Sequence, residues 1–172
     1  MNLQRLTYLV ITIGAALWCA LIVLPPVIAA SSESLAGTAA LLTRFFRPVC
    51  HQLDDRALTL FGKPLAVCAR CSAIYGAFLL GTLLYPLFRS VEKPVMPPRW
   101  LLIVALAPML ADVLPGMVGI HDVSTVTRVI TGIIFGAVLP FVVLPAAIEG
   151  VGQLFTRSAS TTVHQKKGMS DA

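Results

Sequence analysis

Polar residues fall into a few short clusters along this chain, and the stretches between them are nearly unbroken runs of apolar side chains. Runs at about 8–30, 65–88, 100–120 and 127–148 each approach the roughly 20 residues a helix needs to cross a hydrocarbon core about 30 Å thick. The pattern predicts an all-α integral membrane bundle of four transmembrane helices, forming a single transmembrane domain over residues 1–155. Residues 156–172 are rich in Ser, Thr and Lys and lack an apolar period, which predicts a disordered tail.

The polar intervals refine this picture. Residues 31–64 form the one long interval, and within it Leu41, Leu42, Phe45, Phe46 and Val49 make an apolar stripe at helical spacing, with Arg44 and Arg47 on the polar side. That spacing predicts a short amphipathic helix on the membrane surface, ending before Pro48. Residues 90–98 read as a proline-rich turn, and 121–126 as a tight link that makes the last two helices an antiparallel hairpin. The first run has a rival reading as a signal peptide, because Arg5 precedes it and Val27-Ile28-Ala29 follows it. Its length favours retention as a membrane helix, with Pro25-Pro26 marking the helix end.

Composition agrees with a membrane protein. Of 172 residues, 57% are hydrophobic and only 12% charged, whereas a soluble domain carries about a quarter charged residues. The net charge of +5 suits contact with the anionic headgroups of the lipid bilayer and makes no separate case for nucleic acid. Basic residues divide almost evenly between the two faces: Arg5, Arg89, Lys93, Arg99, Arg157, Lys166 and Lys167 on one, Arg44, Arg47, Arg56, Lys63, Arg70 and Arg128 on the other. Arg5 before the first helix and Glu33 after it tip the balance towards cytoplasmic termini, in a multi-pass protein of the plasma membrane.

Against this apolar background, Cys50-His51 and Cys68-Ala69-Arg70-Cys71 stand out. Thiolate and imidazole are the ligands of zinc, and also of copper and iron–sulfur centres. Pro64 ahead of the second helix places Cys68 and Cys71 about one turn inside it, on one face. The loop end bearing Cys50 and His51 folds back to complete a Cys3His site, and Arg70 with the positive helix end offsets the negative charge of three thiolates on Zn²⁺. No catalytic group is identified. The same residues support a second reading, a membrane thiol–disulfide oxidoreductase in which Cys68 and Cys71 form the redox pair, Cys50 resolves and His51 carries protons. A structural disulfide, or cysteines packed as small hydrophobes, is the plainer alternative, and Cys19 reads as a core residue.

Asp112 lies inside the third apolar run, where a carboxylate is costly and normally paired or functional. Arg128 opens the fourth run across the tight link, and the pair is expected to hold that hairpin together. A third function class follows, a small transporter or channel subunit that uses Asp112 as its intramembrane polar group. Gly132 and Gly136 form a GxxxG, and Ser72, Gly76, Ala77 and Gly81 extend a small-residue face on the second helix. Such faces predict close helix packing, within one bundle or in a homo-oligomer. The substrate is not legible.

The stretch Cys50-His51-Gln52-Leu53, Arg56, Phe61-Gly62 and Leu65-Ala66-Val67-Cys68-Ala69-Arg70-Cys71-Ser72-Ala73-Ile74-Tyr75-Gly76 resembles a family of small predicted bacterial and archaeal membrane proteins, the domain of unknown function 2085. Pro108, Asp112, Ser124, Arg128, Thr131-Gly132 and Gly136 fit the same pattern, so the resemblance covers roughly residues 45–140. Val113 departs from it, since the family often has glycine there. The resemblance implies that the Cys/His and Asp/Arg groups belong to one functional unit; it carries no substrate, reaction or cofactor.

Overall fold

The computed structural model describes residues 2–50, 52, 57–117 and 124–168. Its elements in order are α1 (Leu3–Ser31), a short 3-10 turn (Glu33–Leu35), α2 (Ala36–Phe45), β1 (Ala57–Leu60), β2 (Lys63–Cys68), α3 (Ala69–Phe88), α4 (Trp100–Met117) and α5 (Thr125–Gly168). Among the described residues, three helical stretches are long and apolar enough to cross a membrane: Leu3–Ser31, Ala69–Phe88 and Thr125–Leu154. The apolar part of α4, Trp100–Leu114, is shorter.

α1 runs antiparallel to α3. The Tyr8 hydroxyl near one end donates to the Thr82 carbonyl at 3.1 Å, and the Cys19 thiol further along donates to the Tyr75 carbonyl at 3.4 Å. α5 runs parallel to α3, and this pair forms the tightest helix contact. A Cβ on Gly132 would lie 2.8 Å from the Arg70 carbonyl oxygen, one on Gly136 would collide with the Ile74 backbone, and one on Gly81 would lie 2.9 Å from the Pro140 ring. The GxxxG therefore works inside the chain, letting α5 lie directly on α3 where apolar side chains gain little from burial away from lipid. Gly76, in contrast, meets open space. Below the glycines, the Tyr85 ring packs at a tilt 5.6 Å from Phe141, and Leu144, Pro140 and Pro145 are fully buried. Outward-facing Val10, Leu17, Leu80, Leu87 and Ile103 are exposed, as expected of a belt that meets acyl chains.

Several expectations are corrected. Pro25 and Pro26 do not end the first helix; both are buried within α1, which continues to Ser31. The second helix begins at Ala69, because residues 57–68 form an antiparallel hairpin with Leu60 opposite Lys63. The fold is thus helical with a small two-stranded sheet. Phe61 and Gly62 make its two-residue turn, with φ of 53° and 72°, the left-handed pair that matches strand twist. Pro64 sits in β2 itself, tolerable in a two-stranded ribbon where each strand has an unpaired edge. The last helix, α5, runs to Gly168. α2 does end before Pro48, at Phe45, and its Leu41 and Phe45 are exposed while Ala39 and the following Phe46 are buried.

A cluster of three thiols at the head of α3

Three elements deliver the cysteines. After α2 the chain makes a tight turn, in which the amides of Val49 and Cys50 both donate to the Phe46 carbonyl. That turn aims Cys50 inwards. β2 then ends at Cys68, whose extended backbone (φ −64°, ψ 162°) makes it the residue that caps α3, and Cys71 follows in the first helical turn. The sulfurs of Cys50, Cys68 and Cys71 all lie within 4.8 Å of one another. Cys68 and Cys71 therefore stand at the helix entrance instead of one turn inside it, as the sequence had suggested.

Beneath the sulfurs lies a dry floor. Cys50 belongs to a buried cluster with Ile22, Phe46, Ala66 and Val67, against which Trp18 and Tyr75 pack. The Trp18 ring stands edge-on to Phe46 at 5.0 Å and to Tyr75 at 5.8 Å. Such surroundings strengthen every polar interaction above them. The Cys68 amide donates to the Cys50 sulfur at 3.2 Å. The Cys68 thiol is itself drawn down from an ordinary 9.0 to about 5, chiefly by the hydrogen bond from the Cys71 thiol; burial opposes this, and the Cys71 amide, the Cys50 thiol and the Arg70 amide add to it. Favourable contacts with the charged form outweigh its desolvation.

Gln52, part of the family pattern but given no role from the sequence, holds the loop end in place. Its side-chain amide donates to the Ala66 carbonyl at 2.8 Å and also to the Thr43 carbonyl. It thereby joins the end of α2 to β2, and its own backbone takes a left-handed φ of 50°. The available signal was its place directly after Cys50-His51. His51 itself lies outside the described residues, as do Arg56 and His121.

Arg70 and Asp112 are placed differently from expectation. The Arg70 guanidinium pairs with the Asp112 carboxylate, and their side chains are only 19% and 10% exposed. Asp112 therefore tethers α4 to the head of α3, where a pairing with Arg128 had been expected. The Arg70 guanidinium is held by that carboxylate, while the Arg70 and Cys71 amides of the first turn donate towards the Cys68 thiol. Arg128 lies one turn ahead of Gly132 on α5, after Ser124, whose hydroxyl accepts the Thr127 amide at 3.2 Å and caps that helix. Cys19 stays apart from the cluster, half-buried, its thiol turned to the Tyr75 carbonyl.

Comparison with known proteins gives two matches. The model of a family described as "Predicted membrane protein (DUF2085)" matches residues 50–142, a span that opens at Cys50 and includes Cys68, Cys71, Asp112 and both glycines of the GxxxG. A protein of Methanocaldococcus jannaschii, named as uncharacterized protein MJ1492, is 36% identical over 107 residues, covering 62% of this chain and 69% of its own length. No solved structure matches.

Proposed function

This chain belongs to the DUF2085 family of predicted membrane proteins, and on that premise we propose that it is a multi-pass membrane protein whose three clustered thiols bind one metal ion at a membrane face. The mutual approach of the Cys50, Cys68 and Cys71 sulfurs to within 4.8 Å carries this reading. Bonds of about 2.3 Å to a tetrahedral Zn²⁺ put neighbouring sulfurs roughly 3.8 Å apart, so at most a small contraction would seat the ion. Three soft donors favour zinc, with copper(I) or an iron–sulfur centre as the competing occupants. His51, next to Cys50, would supply the fourth ligand. The amide hydrogen bond to the Cys50 sulfur and the first-turn amides facing Cys68 are the outer contacts that stabilise bound thiolates.

In this role the ion joins three elements: the loop after α2, the hairpin and the head of α3. It is a structural clamp closing a polar cap over the bundle. α4 serves as a fourth, short span, held by the Arg70–Asp112 pair. Both termini lie in the cytoplasm, and the clamp lies on the outer face of the plasma membrane.

Elemental analysis of anaerobically purified protein tests the reading. About one zinc per chain is expected, falling to near none in Cys68→Ser and in Cys50→Ser and unchanged in Cys19→Ser. Wild-type protein without stoichiometric metal would refute it. Thiol trapping that showed a Cys68–Cys71 disulfide cycling with oxidant would move the assignment to a redox pair.

A further inference from the structure

The far end of the bundle from the cysteines holds a second feature, independent of the thiol cluster and of any metal. There the start of α1 meets the end of α3 around a cavity of about 480 Å³. Arg5, Arg89, Tyr8 and Ser90 form its polar side, and Leu9, Pro86 and Val91 its apolar side. Glu92 also lines it and pairs with Arg5 at 2.7 Å, which ties the segment after α3 to the first turn of α1 and leaves the cavity with a net positive charge. α1 has no side-chain cap and no acidic residue in its first turn, so its leading amides add to the positive field.

We propose that this cavity binds the headgroup of an anionic phospholipid. Arg89 directly follows the membrane-spanning α3, which puts its guanidinium at the depth of lipid phosphates, and guanidinium is the side chain best matched to phosphate oxygens. The ligand is an amphiphile and not a free anion, because Leu9, Pro86 and Val91 give the cavity an apolar wall and the same helix ends expose Leu6, Leu87 and Phe88 to an acyl chain. A soluble phosphate would leave that wall uncovered. The phosphate sits between Arg89 and the outer face of the Arg5 guanidinium, and the chain descends beside Leu9.

The full chain in detergent, offered equal amounts of phosphatidylglycerol and phosphatidylcholine with identical acyl chains, tests this by native mass spectrometry. Wild type should retain phosphatidylglycerol over phosphatidylcholine by about fivefold, the ratio expected from one basic residue at a membrane surface. Arg89→Gln should bring the ratio near one. Lys93→Gln, close by in sequence but outside the cavity, should leave most of it. Equal retention by wild type, or an equal loss in both variants, would overturn the site in favour of diffuse surface attraction. Displacement of the lipid by millimolar inorganic phosphate would overturn the choice of an amphiphile; undiminished retention supports it.

Discussion

At the scale of single residues, the chemistry follows from which partner each polar group finds. Cys68 is the clearest case. Its thiol is held at about 5, so above that pH it is a thiolate in the folded, metal-free chain, while an unfolded thiol still carries its proton up to about 9.0. The sign follows: a lowered folded value contributes stability that is full above the unfolded value and is lost as pH falls through about 5. Thiolate absorbance near 240 nm in metal-free Cys19→Ser protein should show a step centred near pH 5, moving upwards when Cys71→Ala is added, which removes the strongest donor. A single rise near pH 9 in both proteins would contradict it. Asp112 gives a second residue-scale test. Asp112→Asn leaves the buried Arg70 charge without its counter-ion, a loss of about 3–5 kcal/mol, while Arg70→Leu with Asp112→Leu removes both charges and should unfold closer to wild type on heating in detergent. Gln52→Ala should weaken metal binding by roughly 10- to 100-fold, as loss of a ligand-orienting contact does, measured by competition with a chelator. The sequence made the thiol grouping legible because CxxC is a local pattern. It missed the partner of Asp112, because Arg128 is nearer along the chain whereas Arg70 is nearer in space.

Elements show where local signals misled and where they held. Pro64 reads as the first residue of a helix, yet it lies in a strand; the hairpin was hidden because its turn is Phe61-Gly62, without the Asn or Asp that usually marks such turns. Pro25-Pro26 reads as a stop, yet lipid and neighbouring segments allow the helix to continue, since a bilayer offers no alternative partner for freed backbone groups. Small residues were read correctly as packing surfaces, but pattern alone did not separate Gly136, pressed against the Ile74 backbone, from Gly76, which faces open space. Their difference is testable. Gly136→Leu should destabilise the fold by about 1–3 kcal/mol or more through overpacking against α3, whereas Gly76→Ala should be neutral or slightly stabilising, since alanine favours helix. Unfolding in a mixed-micelle denaturant series measures both; equal losses would contradict the contact between α3 and α5.

For the whole molecule, the apolar runs specified a membrane bundle directly, because length and hydropathy are set by bilayer thickness. What they left open was how the cap closes: the hairpin and the loop end are short, partly polar and stabilised by contacts distant in sequence. Within that cap the cysteines meet on an aromatic floor, and the clamp reading follows from their meeting. X-ray absorption at the zinc edge of the purified full-length protein tests that reading most directly. Three sulfur neighbours near 2.3 Å with one nitrogen near 2.0–2.1 Å are predicted; a shell of oxygen alone, or the same shell in Cys68→Ser as in wild type, would contradict it.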